Sequence, residues 1–109
     1  MNQWDTYQWK FPHGEHPCVI ISPQARASNP AIETVNILGC STQRAARAAR
    51  EHEIMLDKAD GMDWETLARC DVIFLAPKKE LMKHRGSVSV ERRRALGAKI
   101  IRLFGFWVG

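Results

Sequence analysis

The residues that could do chemistry in this chain fit none of the common metal or thiol patterns. Cys18, Cys40 and Cys70 are widely spaced, form no Cys-x-x-Cys pair, and sit beside apolar residues, as in Cys18-Val19-Ile20-Ile21. That pattern reads as buried reduced thiols, with neither a disulfide framework nor a zinc site. Glu51-His52-Glu53 is not a His-Glu-x-x-His motif. Asp60-Gly61 with Asp63 lacks the alternating oxygen ligands and closing Glu of a calcium loop, so it reads as a turn. No His, Asp or Glu cluster has metal-ligand spacing, so neither a metal nor any other cofactor is expected. What remains is cationic. Arg44, Arg47 and Arg50 stand among alanines, and Lys78, Lys79, Lys83, Arg85, Arg92, Arg93, Arg94, Lys99 and Arg102 crowd the last third of a chain of net charge +4. Clustered cations attract polyanions, nucleic acid above all; the alternative is a solvated face that only maintains solubility. Trp4, Trp9, Trp64 and Trp107 could stack on bases, or fill a core or an interface.

These residues need a scaffold, and 109 residues suffice for one domain, taken as 1–109. A hydrophobic share of 45% against 26% charged is that of a folded globular chain. The first residues lack the apolar stretch of a signal peptide, and the longest apolar run, 103–108, is far too short to cross a membrane. With reduced thiols, this places the expected location in the cytoplasm.

The periodicity predicts five short strands and one helix. Residues 6–11 carry Tyr7, Trp9 and Phe11 on one side, a strand of period two. Residues 12–17, with two prolines and a glycine, read as a turn. Residues 18–22 and 34–41 read as strands joined by a polar loop over 24–33. Residues 42–50 read as a helical turn or a mobile basic loop. A strand over 51–56 and a turn over 57–61 follow, with 64–69 open between helix and strand. Residues 71–76 form a strand ended by Pro77, and 78–83 a short helix. The terminal helix starts near Ser89, which can cap it, with Glu91 suited to its positive end. Leu96, Ile100, Leu103 and Phe104 make its apolar stripe, leaving Arg92, Arg93, Lys99 and Arg102 for the outer surfaces. Short strands with one terminal helix suggest a small, strongly bent sheet or barrel capped by that helix.

An ordered set of segments resembles the PemK/MazF toxin family. Gly14-Glu15-His16-Pro17 corresponds to that family's Gly-x-Arg-Pro turn, and Cys18-Val19-Ile20-Ile21-Ser22-Pro23 to the apolar strand ending in Ser-Pro. Cys40-Ser41-Thr42-Gln43 is similar to its strand end with two hydroxyl residues. Glu53-Ile54-Met55-Leu56, Cys70-Asp71 and Gly86-Ser87-Val88-Ser89 follow in the family's order. The resemblance implies a mainly β fold with a C-terminal helix, a small SH3-like barrel of the CcdB/PemK type. It also implies a homodimer that cuts single-stranded RNA without a metal and is held off by an acidic antitoxin protein. Three features depart from the pattern: His16 replaces the catalytic arginine, the loop 12–15 is short, and the usual Gly-Asp opening is missing.

By position His16 and Ser41 inherit the catalytic places. Histidine, with an ordinary pKa of about 6.5, can take or give a proton near neutrality. His13, Thr42, Gln43, Arg44, Arg47 and Arg50 are the candidates for RNA contact. Bland readings stand beside these: His16 shaping a turn, Ser41 and Thr42 ending a strand, the arginines simply solvated. Two other functions fit the same segments. One is a protein that binds RNA or an antitoxin but has lost catalysis with the arginine. The other is a CcdB-like toxin that binds a protein target such as gyrase.

Overall fold

The computed structural model describes residues 1–106. Its centre is an antiparallel pair of apolar strands, β2 (Gly14–Ile20) and β3 (Thr34–Gly39), in which Val19 faces Leu38 and Ile20 faces Ile37. Alternation sends these pairs to opposite faces of the sheet, and all four side chains are fully buried. Val19 and Leu38 pack with Cys40, Leu56, Ala68, Cys70 and Val88. Ile20 and Ile37 pack with Trp9, Phe11, Val35 and Ala76. Fully burying each such aliphatic chain contributes roughly 1.5–3 kcal/mol, so this pair anchors both halves of the core. Strand β1 (Asp5–Phe11) pairs with β2 through the two-residue loop Pro12-His13, and it places Tyr7, Trp9 and Phe11 on one cluster as the period-two pattern predicts.

The full sheet has the order β6-β3-β2-β1-β7, where β6 is Phe74–Pro77 and β7 is Met82–Ser87. Strands β4 (Glu53–Leu56) and β5 (Thr66–Arg69) form a separate antiparallel hairpin. The two sheets meet at the end of β3, where Cys40 bridges to Ala68 on β5. A short helix, α1 (Gln24–Ala27), interrupts the polar loop, and the C-terminal helix α2 spans Val90–Leu103. The mainly β barrel with a C-terminal helix is thus the fold the resemblance implies.

Several local expectations change. The segment 12–17 is not a turn: only Pro12-His13 turns, and His16 lies within β2. Within 64–69, Thr66–Arg69 is strand, and 42–50 contain no helical turn. The expected strand 71–76 is shifted to Phe74–Pro77, and the helix expected over 78–83 is a single 3-10 turn, Lys78–Glu80. Beyond it lies β7, which the sequence does not reveal. Its residues, Met-Lys-His-Arg-Gly-Ser, show no alternation because it is an edge strand that pairs with β1 across an irregular register.

Helix α2 begins at Ser89 as expected, but the Ser89 hydroxyl makes no capping bond. Instead the Ser89 N–H donates to Oδ1 of the buried Asp60 at 2.8 Å. Leu96 is fully buried and Ile100 and Leu103 pack on the core, whereas Phe104 is exposed. Arg92 turns inward, opposite to expectation, donating at 2.6 Å to Asp60 Oδ2 and at 3.0 Å to Asp57 Oδ2. A buried carboxylate needs such a partner, and sequence periodicity does not register it. Arg93 is likewise engaged, with Nε donating to Val88 O at 2.6 Å.

This clamp rests on Gly61, whose φ of +85° is a left-handed conformation. A Cβ there would lie 2.8 Å from both Arg85 O and Thr6 Oγ1. Strain and overlap act together, so Gly61→Ala is expected to destabilise the fold by about 3 kcal/mol in urea unfolding. A loss below about 1 kcal/mol would show that the turn and β7 are not tightly held against β1.

Candidate active site

Five strands converge on one cavity of about 280 Å³, lined by His13, His16, Ser41, Arg47, Glu53 and Arg69 with Gly39, Cys40, Leu67, Val72 and Phe74. His13 comes from the β1–β2 loop and His16 from β2, where the register sets it opposite Trp9. The two imidazoles lie side by side, ring centroids 4.7 Å apart, and the Phe11 ring packs against both at 5.4 and 5.9 Å. Gly14, with φ +132°, offers no side chain between them; a Cβ there would lie 3.6 Å from His16 Nε2.

His16 is half-buried, and its second nitrogen is held. Its Nδ1 is hydrogen-bonded to Thr42 Oγ1, and the Thr42 hydroxyl donates to Glu15 O at 3.5 Å. A hydroxyl has one proton. Where that proton goes to Glu15 O, Oγ1 accepts from Nδ1–H and Nε2 is the unprotonated nitrogen. Burial, and then the charge of His13, push the His16 pKa below its ordinary 6.5. At neutral pH this imidazole is therefore the base form.

Ser41 lines the cavity, but its hydroxyl serves the backbone. Oγ accepts from Leu67 N–H at 3.0 Å and donates to Gln43 O at 3.4 Å, while Ser41 N–H donates to Leu67 O at 2.9 Å. The hydroxyl that touches His16 belongs to Thr42, one residue on.

The opposite wall is charged. Arg47 grips Glu53 with two bonds, at 2.6 and 2.9 Å, and the Arg50 backbone N–H donates to the same carboxylate at 2.9 Å. Arg69, paired across the hairpin with Glu53, turns to Asp71 through Nε and Nη2 at 2.7 and 3.2 Å. A guanidinium has five N–H groups, so both arginines keep donors for a further anion.

The candidate contacts therefore separate. His13, His16, Ser41 and Arg47 share the cavity, and Thr42 stands at its edge against His16. Gln43 and Arg50 are exposed and do not line it, and Arg44 lies on a different groove with Asp57, Lys58, Trp64 and Glu65. The basic last third is largely consumed internally. Lys78 donates to Arg26 O and Asn29 O, Arg85 to Gly61 O and Gln8, and Lys99 to Glu51 O. Of the tryptophans, Trp9 is buried with its N–H on Glu80, Trp4 packs on the core, Trp64 is half-buried, and Trp107 lies outside the described residues.

Sequence reading passed over Glu53 and Arg69. The signal was present: an acid opening the apolar run Glu53-Ile54-Met55-Leu56 must be buried or paired. Among the described residues no three His, Cys, Asp or Glu side chains are gathered to hold a metal ion, and no helix is long and apolar enough to cross a membrane.

The Arg47 bond and the Arg50 N–H pull the Glu53 pKa from its ordinary 4.5 to about 2. A depressed carboxylate stabilises the fold fully above its unfolded pKa, and that contribution is lost as pH falls toward the folded one. Glu53→Gln is thus expected to lower stability at pH 7, by on the order of 2 kcal/mol. The gap to the parent should close between pH 4.5 and about 2 in thermal melts. A gap that does not change with pH would contradict the pairing.

The chain matches, over residues 4–104, the family described as PemK-like, MazF-like toxin of type II toxin-antitoxin system. No curated protein sequence matches it significantly. Solved structures share its fold. An endoribonuclease in complex with its cognate antitoxin, from a mycobacterial species, superposes with a TM-score of 0.81 at 18% identity, covering 100% of this chain and 99% of that one. The Mycobacterium tuberculosis toxin MazF-mt6 gives 0.80 at 16% identity, with 95% and 99% covered. A MazE-MazF structure from Deinococcus radiodurans gives 0.76 at 13% identity, with 98% and 97% covered. At such identities the likeness speaks for the fold, while the family match spans nearly the whole sequence. The chain belongs to the PemK-like, MazF-like toxin family of type II toxin-antitoxin systems.

Proposed function

We propose that this toxin is an endoribonuclease that cleaves single-stranded RNA by attack of the RNA's own 2′-hydroxyl, with His16 as the general base. The observation that carries this reading is the state of His16. Its Nδ1 is bonded to Thr42, its pKa is lowered, and it lines a cavity that Arg47 and Arg69 also line. A base of this kind takes the 2′-hydroxyl proton, and Arg47 and Arg69 stabilise the charge that develops on the phosphate. Ser41 holds the strand end that places them, and Thr42 sets the imidazole's tautomer. The exposed Arg44 and Arg50 extend the phosphate-binding surface outside the cavity. The protein works as a homodimer, as the family resemblance implies, and is held off by an acidic antitoxin; a similar structure that contains a cognate antitoxin supports an antitoxin partner. A competing reading is a binding protein without cleavage, favoured by the Ser41 hydroxyl being bound to backbone.

Cleavage rate against pH separates the two. A base works only when neutral, so kcat/KM should fall on the acid side, with that limb below pH 6.5. His16→Ala should cost about a hundredfold or more in rate with RNA affinity nearly intact. Cleavage that survives His16→Ala with an unchanged profile would exclude His16 as the base; an inert parent protein at every pH would establish the binding reading. RNA affinity, measured on the His16→Ala protein so that the RNA stays whole, should drop steeply with salt, and Arg44→Ala with Arg50→Ala should reduce that slope. An affinity indifferent to salt would leave these arginines as solvated surface only.

A further inference from the structure

In an in-line displacement the leaving oxygen departs from the side of the phosphorus opposite the attacking 2′-oxygen, so a base placed at the 2′-oxygen is not placed to protonate it. We infer that His13 is the general acid: a second catalytic residue that makes the site a two-histidine acid–base pair. The inference rests on the proposed ribonuclease reading and assigns a role within it.

The placement supports it. His13 sits at the tip of the β1–β2 loop, lines the same cavity as His16, and is exposed, so it exchanges protons with solvent. Its ring centroid is 4.7 Å from that of His16, at an interplanar angle of 40°, with Phe11 packed against both. Rings this close resist carrying charge together, and the charge of His13 is one cause of the lowered His16 pKa. An acid–base pair needs one proton between its two members. His16 is the more buried ring and has Nδ1 tied to Thr42, which suits it to the base role; the exposed His13 takes the acid role.

Several neighbouring groups are held away from the histidine range. Glu53 is pulled down to about 2, Asp71 is pulled down by Arg69, and Arg47 and Arg69 are held charged by those carboxylates. Burial raises the Cys18 thiol to about 12 and pushes Cys40 well up. Glu15, on β2, binds Gln8 Nε2 at 3.1 Å and lies 3.9 Å from Lys83, and His52 leans on Glu53 at 3.9 Å, outside the cavity lining.

The step balances. His16 Nε2 takes the 2′-hydroxyl proton as the 2′-oxygen bonds to phosphorus. The bond from phosphorus to the 5′-oxygen breaks, and His13 gives that oxygen its proton. The products are a 2′,3′-cyclic phosphate and a 5′-hydroxyl, and the site resets by returning one proton from His16 to His13 through water.

The test uses an RNA oligonucleotide spanning a mapped cut site, made with either oxygen or sulfur as the 5′-bridging atom. An alkoxide leaves poorly, its acid being about as weak as water at roughly 15.7. A thiolate leaves without help, its acid having a pKa of about 8.5. His13→Ala should slow cleavage of the oxygen-bridged RNA by about a hundredfold or more and leave the sulfur-bridged RNA near the parent rate. His16→Ala should slow both. The parent should lose rate on the alkaline side with oxygen but not with sulfur, and His13→Gln should behave as His13→Ala. Thermal melts of both variants should match the parent, since the side chain is exposed. Equal slowing of both RNAs by His13→Ala, or no slowing of either, would overturn the assignment while leaving the ribonuclease reading intact. A parent protein that cuts neither RNA would overturn that reading and this one with it.

Discussion

The strand end at Cys40 and Ser41 belongs to two sheets at once, and the geometry of the site depends on that sharing. Cys40 N–H donates to Pro17 O on β2 at 2.9 Å, while Cys40 also bridges to Ala68 on β5. Ser41 follows with a reciprocal pair to Leu67, its N–H donating and its Oγ accepting. One short stretch of backbone thereby fixes β2, which bears His16, against the β4–β5 hairpin, which bears Glu53 and Arg69. Slippage by one residue would send every side chain of a strand to the other face and scatter the cavity. The same stretch delivers Thr42 to His16. The Ser41 hydroxyl is committed to a backbone N–H that would otherwise be unpaired.

Replacing an arginine by a histidine at this place changes the kind of chemistry available. An arginine is always charged and can position and stabilise a phosphate without titrating. A histidine contributes only in a defined protonation state, so its surroundings must choose that state. Here three surroundings do so: partial burial, a neighbouring histidine, and a hydroxyl that fixes the tautomer. In the proposed reading the positive charge lost with the arginine is supplied by Arg47 and Arg69, which line the same cavity. Their carboxylate partners keep them ordered at the cost of part of their donor capacity.

What was legible in the sequence follows from what each signal physically records. The apolar runs around Val19, Ile20, Ile37 and Leu38 announce buried strands because burial on both faces demands them. The stripe of Leu96, Ile100 and Leu103 announces a helix packed on the core. Strand β7 stays hidden because its residues are exposed or only half-buried, so no apolar face repeats along it, and its position is fixed by partners on β1. Arg92 stays hidden for a related reason: the carboxylates that neutralise it, Asp57 and Asp60, are distant in sequence. Glu53 and Arg69 have partners close by, Arg47 and Asp71, but nothing in that spacing shows that the fold brings both pairs to one cavity. The His16 place is recognisable from Gly14 and Pro17 on either side. That Thr42 rather than Ser41 meets it could not be read without the backbone pairing of Ser41 to Leu67.

The most direct measurement is to incubate the purified protein with a long single-stranded RNA in chelator-containing buffer and determine the chemistry of the ends it produces. The account predicts discrete cuts that leave 2′,3′-cyclic phosphate and 5′-hydroxyl ends. Intact RNA, or cuts that leave 5′-phosphate ends, would contradict it.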